Sequence, residues 1–198
     1  MTGCKRKLAG FLFLLLFLFA TGLGEIPDYK QDDPRWASFI YSSHGDPGQT
    51  VKLNGCALCA AADMVAYWFD PDVTPIEMAK LSMRLGTCAY TGGTSKQFWY
   101  ELAKQYPFTA FRQTTCIDTA IRCLEEDGLV IVSFVGGIWV DSTNRGKAHA
   151  CLIYSYDEMD GFRLHDSSWP EGVMSRIIGH AAYEKVKVAA RAYYCYWK

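Results

Sequence analysis

Helices gathered in the first half of the chain and strands in the second predict an α+β domain, with a buried helix packed on a mainly antiparallel sheet. Three stretches carry that prediction. Cys56 to Phe69 is almost unbroken apolar and rich in alanine, with Asp63 its only charge, which describes a helix buried on all sides rather than an amphipathic one. Leu129-Val130-Ile131-Val132-Ser133-Phe134-Val135 is β-branched and flanked by glycines, the pattern of a buried strand. Ala148 to Tyr156 and Phe162 to Asp166, joined by the turn from Asp157 to Gly161, form a hairpin.

The other elements follow in order. Lys5-Arg6-Lys7, the apolar run Leu8 to Ala20 and the small residues Thr21 to Gly24 predict a secretory signal over 1–24, cleaved from a mature single domain over 25–198. The run is shorter than the ~20 residues that cross a bilayer, so the mature chain is expected to have no stable membrane span. A secreted or extracytoplasmic location follows, with an uncleaved N-terminal anchor as the alternative. Glu25 to Thr50 holds turn signals and aromatic anchors, a surface loop capped by Trp36. Thr74, Pro75 and Glu77 make a capping box that starts a helix ending near Gly86. Ser95 or Thr94 caps a further helix through Gln97 to Lys104. Cys116 to Asp127 is a third helical pattern with Gly128 as its stop. Tyr183 to Val188 and Ala192 to Trp197 alternate as strands do.

At 198 residues and 50% hydrophobic content the chain can bury one good core. Its 20 basic and 21 acidic residues are spread along the sequence and give a net charge of −1, with no basic stripe to hold nucleic acid. His180, His44 and the Asp157/Asp160 turn have no partners at metal-ligand spacing and the cysteines lack a second close pair, so neither a metal nor another cofactor is expected. Of the eight cysteines, Cys4 precedes the apolar run, leaving seven. If Cys56 is free, Cys59, Cys88, Cys116, Cys123, Cys151 and Cys195 suffice for three disulfides in an oxidising compartment, in pairings the sequence does not choose.

The chemistry starts at Cys56. A cysteine in the first turn of a helix meets unpaired backbone N–H groups and the positive end of the helix dipole, which favour a nucleophilic thiolate. Gly55 lets backbone or substrate approach closely. In the hairpin, residues near the open ends face one another, which brings Asp166 within a residue or two of His149. A carboxylate beside an imidazole orients the ring and stabilises its charged form, the arrangement that activates a cysteine. A one-residue slip of register would put His165 there instead. Gln31, in the loop before the nucleophile, supplies an amide for a developing oxyanion.

Four pieces stand together in order: Tyr29-Lys30-Gln31-Asp32-Asp33-Pro34-Arg35-Trp36, Gly55-Cys56 opening an alanine-rich helix that ends in Tyr67-Trp68, Ala148-His149 opening a strand, and Leu164-His165-Asp166. With them the chain resembles the papain-like cysteine peptidases related to the double-glycine leader peptidases, cysteine peptidase family thirty-nine and its stand-alone relatives. The resemblance implies a papain-like fold with the nucleophile on its buried central helix. It also implies hydrolysis of a peptide or protein substrate by Cys56 as nucleophile, His149 as general base, Asp166 as orienting acid and Gln31 as oxyanion donor. Gln49 is a second candidate for the last role. The chain departs from the family in having Ala57-Leu58-Cys59 after the nucleophile, where glycine, proline and a small hydroxyl residue are usual, and Ala148 where glycine is common. Two other functions fit the same residues: a thiol–disulfide oxidoreductase using the C-x-x-C of Cys56 and Cys59, and a catalytically silent binding domain on the same fold.

Overall fold

A computed structural model describes residues 25–135, 148–168 and 180–198. The expected signal at 1–24 lies outside them. The helix anticipated from Cys56 onward is α2 (Cys56–Trp68), which follows a single turn, α1 (Val51–Asn54). Every residue of α2 is buried except Cys56 and Tyr67. Its alanines at 57, 60, 61, 62 and 66 keep the helix thin enough to pack against other elements on several sides. The short segment before it is therefore helical, and Gly55 is the joint. A Cβ at Gly55 would strike the Val51 carbonyl and lie 2.7 Å from Val51 Cγ1. The glycine thus serves a backbone approach, and it fixes where α2 starts.

The chain continues through α3 (Pro75–Arg84), α4 (Gln97–Gln105), β1 (Ala110–Thr114), α5 (Ile117–Glu125), β2 (Leu129–Val135), β3 (Ala148–Asp157), β4 (Gly161–His165), α6 (His180–Ala189) and β5 (Ala190–Trp197). The five strands form one sheet in the order β1-β5-β2-β3-β4, with every neighbouring pair antiparallel. Alternate strand residues serve two cores, as a period of two requires. Leu129, Ile131, Ala150, Leu152, Ala192, Tyr194 and Tyr196 face a core shared with α2, α3 and α4. Val130, Val132, Cys151, Ile153, Leu164 and Cys195 face a second core closed by α5 and α6. The mixed helix and antiparallel-sheet architecture is as the sequence predicts.

Several elements differ from expectation, each for a physical reason. Thr74 and Glu77 form the capping box at α3, with Ile76 N–H also donating to the Thr74 hydroxyl, but α4 starts after Lys96 with no side-chain cap. Helix α5 stops at Asp127, which takes a φ of 58°, and Gly128 instead lets the chain pass the Cys123 carbonyl and the Tyr196 carbonyl. β1 was unanticipated because it is an edge strand with no buried residue to give an alternating pattern. Tyr183 to Val188 alternates in sequence yet lies inside α6. There Val186 and Ala189 are buried while Lys187 and Val188 are exposed, and that three-residue spacing is helical.

The expected disulfides are not formed: all seven cysteines from Cys56 to Cys195 are free thiols. Cys59, Cys88 and Cys151 are buried, and Cys116 is exposed. Cys123 and Cys195 adjoin between α5 and β5, as thiols. No helix among the described residues is long and apolar enough to cross a membrane.

Candidate active site

Cys56 is the first residue of α2 and is partly exposed, although the helix behind it is not. His149 is the second residue of β3, nine-tenths buried. Both line one cleft of about 660 Å³, together with Leu53, Trp99, Ser133 and Tyr194. β3 and β4 pair with Leu152 opposite His165, so the register carried one step on sets Asp166 beside Cys151 and a diagonal step from His149. From there Asp166 Oδ1 accepts a 2.8 Å hydrogen bond from His149 Nε2. With Nε2 committed to the carboxylate, Nδ1 is the ring nitrogen left for the thiol.

The electrostatics follow from these contacts. Burial pushes the Cys56 thiol up, but the hydrogen bond and charge of His149, with the N–H groups of Ala150 and Ala57, outweigh it and hold the thiol below its ordinary value. Burial also resists charging of His149. The Cys151, Asp166 and Cys56 groups around the ring overcome that and raise it well above the ordinary imidazole value. Cys151 is itself pushed up to about 12, first by burial and then by Asp166, so it is a neutral thiol and the effective anions are Asp166 and Cys56. Burial would raise Asp166 too, yet the bond and charge of His149 and the Ser168 N–H hold it below the usual carboxylate range. A lowered thiol beside a raised imidazole favours the thiolate–imidazolium form of the pair over the neutral one.

Gln31 is tied to both halves of this arrangement. Its Nε2 donates to the Lys52 carbonyl at 2.6 Å, in the turn that leads to Cys56. Its Oε1 accepts from the hydroxyls of Ser167 and Ser168 at 3.1 and 3.2 Å, and its N–H donates to the Ser167 carbonyl at 3.0 Å. The side chain is outside the set that lines the cleft. Gln49 is committed elsewhere, donating to the Tyr90 carbonyl at 3.1 Å. His165 turns away from His149, its Nδ1 2.9 Å from the Pro27 carbonyl and 3.8 Å from Asp63 Oδ2.

Sequence reasoning missed three supports. Cys151 reaches the pair because it lies two residues after His149 on the same strand face, a relation the alternation of β3 already contained. Lys30 donates to the Asp166 carbonyl at 2.9 Å while paired with Asp28. Asp63, the lone charge of α2, accepts from the Tyr29 N–H at 2.9 Å, and burial holds its carboxyl well above the usual range. Two triads bring one ligating atom each within 4.8 Å of one another: His149, Cys151 and Asp166, and Asp28, Asp63 and His165. In the first, His149 and Asp166 are already bonded to each other. In the second, Lys30 holds Asp28 and Tyr29 holds Asp63. The second is held as a hydrogen-bond network, whereas in the first Asp166 Oδ2 is buried with no hydrogen-bond partner among the described residues. Cys59 is fully buried, and its thiol is pushed well up by burial, then by Asp63 and Cys56, which suits a packed thiol better than a redox partner.

No protein-family model matches the chain, and neither does any curated protein. Among solved structures, a Bacillus anthracis protein provisionally assigned as a C39-like peptidase is similar over 88% of this chain and 95% of its own, with a TM-score of 0.51 and 12% identity. The two share a fold. At that identity the likeness concerns architecture, and the expected resemblance to this peptidase group holds at that level.

Proposed function

We propose that the protein is a cysteine-type peptidase of papain-like design, hydrolysing a peptide or amide bond at Cys56, with His149 as base and Asp166 as its orienting partner. One observation carries the reading: a single imidazole is bonded to a buried carboxylate through Nε2 and acts on a helix-terminal thiol that it holds below its ordinary value. The peptidase assignment of the similar structure supports the same class of chemistry. In this reading Cys56 adds to the scissile carbonyl while the imidazolium protonates the leaving amine. Water, deprotonated by the neutral imidazole, then releases the acyl group and restores the thiol. The backbone N–H of Cys56 is one proposed oxyanion donor and the second amide hydrogen of Gln31 the other, its side chain fixed by Lys52, Ser167 and Ser168 beside rather than within the cleft lining.

Iodoacetamide at neutral pH is expected to label Cys56 and the exposed Cys116, whose thiol the Thr119 N–H also holds below its ordinary value, ahead of the five buried thiols. Labelling of Cys56 is expected to stop hydrolysis of a denatured protein substrate. A Cys56 left unlabelled, or hydrolysis that survives full labelling of Cys56, overturns the proposal. Export is proposed on the N-terminal pattern alone, Lys5-Arg6-Lys7 before an apolar run. The mass of the protein recovered from an expressing cell tests it, since a chain still carrying 1–24 inside the cell is the contrary result.

A further inference from the structure

We infer that the cleft selects substrates carrying a carboxylate close to the scissile bond. This rests on the peptidase reading and names the substrate class for the same site. The chain as a whole is nearly neutral, 20 basic residues against 21 acidic, yet among the described residues the lining of the cleft holds Lys96 and Arg191 and no aspartate or glutamate. Both side chains are exposed, and neither forms an ion pair within the described residues. The nearest catalytic anion, Asp166, is buried behind the ring it holds and does not line the cleft. His149 and Cys56 both line the cleft and balance each other as an ion pair, so its net positive charge comes from Lys96 and Arg191. Trp99 and Tyr194, with ring centroids 5.5 Å apart, supply apolar surface in the same cleft. A concave site of one sign raises the local concentration of ligands of the other sign and repels its own, and salt screens the effect. A peptide with an aspartate or glutamate side chain, or a free C-terminal carboxylate, fits that field. A lysine-rich peptide does not.

Peptides of one sequence with blocked ends, differing only in Glu, Gln or Lys beside the cleaved bond, test the first source. The Gln peptide with a free C-terminus tests the second. At low salt at least one carboxylate peptide is expected to show kcat/KM about tenfold above the blocked Gln peptide, with the gap closing as salt rises. The Lys96→Glu/Arg191→Glu variant is expected to favour the Lys peptide instead. Equal kcat/KM for all the peptides, or an unchanged order in the variant, overturns the inference.

A second measurement needs no turnover. The rate of Cys56 alkylation by iodoacetate relative to iodoacetamide is expected to fall severalfold in the double variant, whereas an equal ratio in both proteins overturns the inference. If no peptide is cleaved while that ratio falls, the charge preference of the cleft stands and the hydrolase reading is lost.

Discussion

Replacing Cys56 with serine is expected to lower peptide hydrolysis by roughly four to six orders of magnitude. The chemistry needs a group that His149 can ionise at neutral pH. The thiol meets that need because its hydrogen bond and charge interaction with the ring more than offset the cost of burial. A serine hydroxyl starts far above the thiol range and would remain protonated beside the same imidazole. The substitution is nearly neutral for folding, since the buried part of α2 begins at Ala57 and Cys56 is partly exposed. Initial rates on one peptide, with thermal melting as the folding control, decide it. A well-folded serine variant within tenfold of wild type would place the nucleophile elsewhere.

Changing His149 to alanine is expected to cost about two to four orders of magnitude in rate and to shift the ionisation of Cys56 upward. The direction follows from the forces on the thiol. Burial raises it, the bond and charge of His149 lower it, and removing the ring leaves burial as the largest influence. In wild type, activity should rise with pH through the lowered thiol value and fall through the raised imidazole value, because the ion pair exists only between the two. In the variant the rise of the Cys56 alkylation rate with pH should move to higher pH than in wild type. Alkylation profiles that superimpose would show that the imidazole does not act on this sulfur.

The parts of the fold that were legible in the sequence are those where one face decides the pattern. β2 lies at 129–135 as anticipated because a strand buried on both faces leaves the half-buried Ser133 as its one polar residue, too few to mimic an alternating or helical pattern. α3 was marked by its own capping chemistry at Thr74 and Glu77. β1 and α6 were not legible, one for want of buried residues and the other because Glu, Lys, Val, Lys, Val satisfies a two-residue period by accident. At the site, Cys56, His149 and Asp166 could be found from helix position and hairpin pairing, both local relations. The contacts of Lys30 and Gln31 could not, because Lys30 lies 136 residues from Asp166 and Gln31 lies 136 from Ser167, and only the tertiary fold joins them. The expected disulfides failed for a related reason: counting thiols says nothing about which of them become neighbours.

The position of β5 bears on how the molecule acquires its shape. It is the last of the five strands in chain order, yet it sits inside the sheet, hydrogen-bonded to β1 on one side and β2 on the other. Until it arrives, β1 has no strand to pair with and one long edge of β2 stays open, inviting contact with other chains. Domain assembly must therefore wait for the C-terminal segment, and a nascent or truncated chain without Ala190–Trp197 should depend on chaperones to stay soluble.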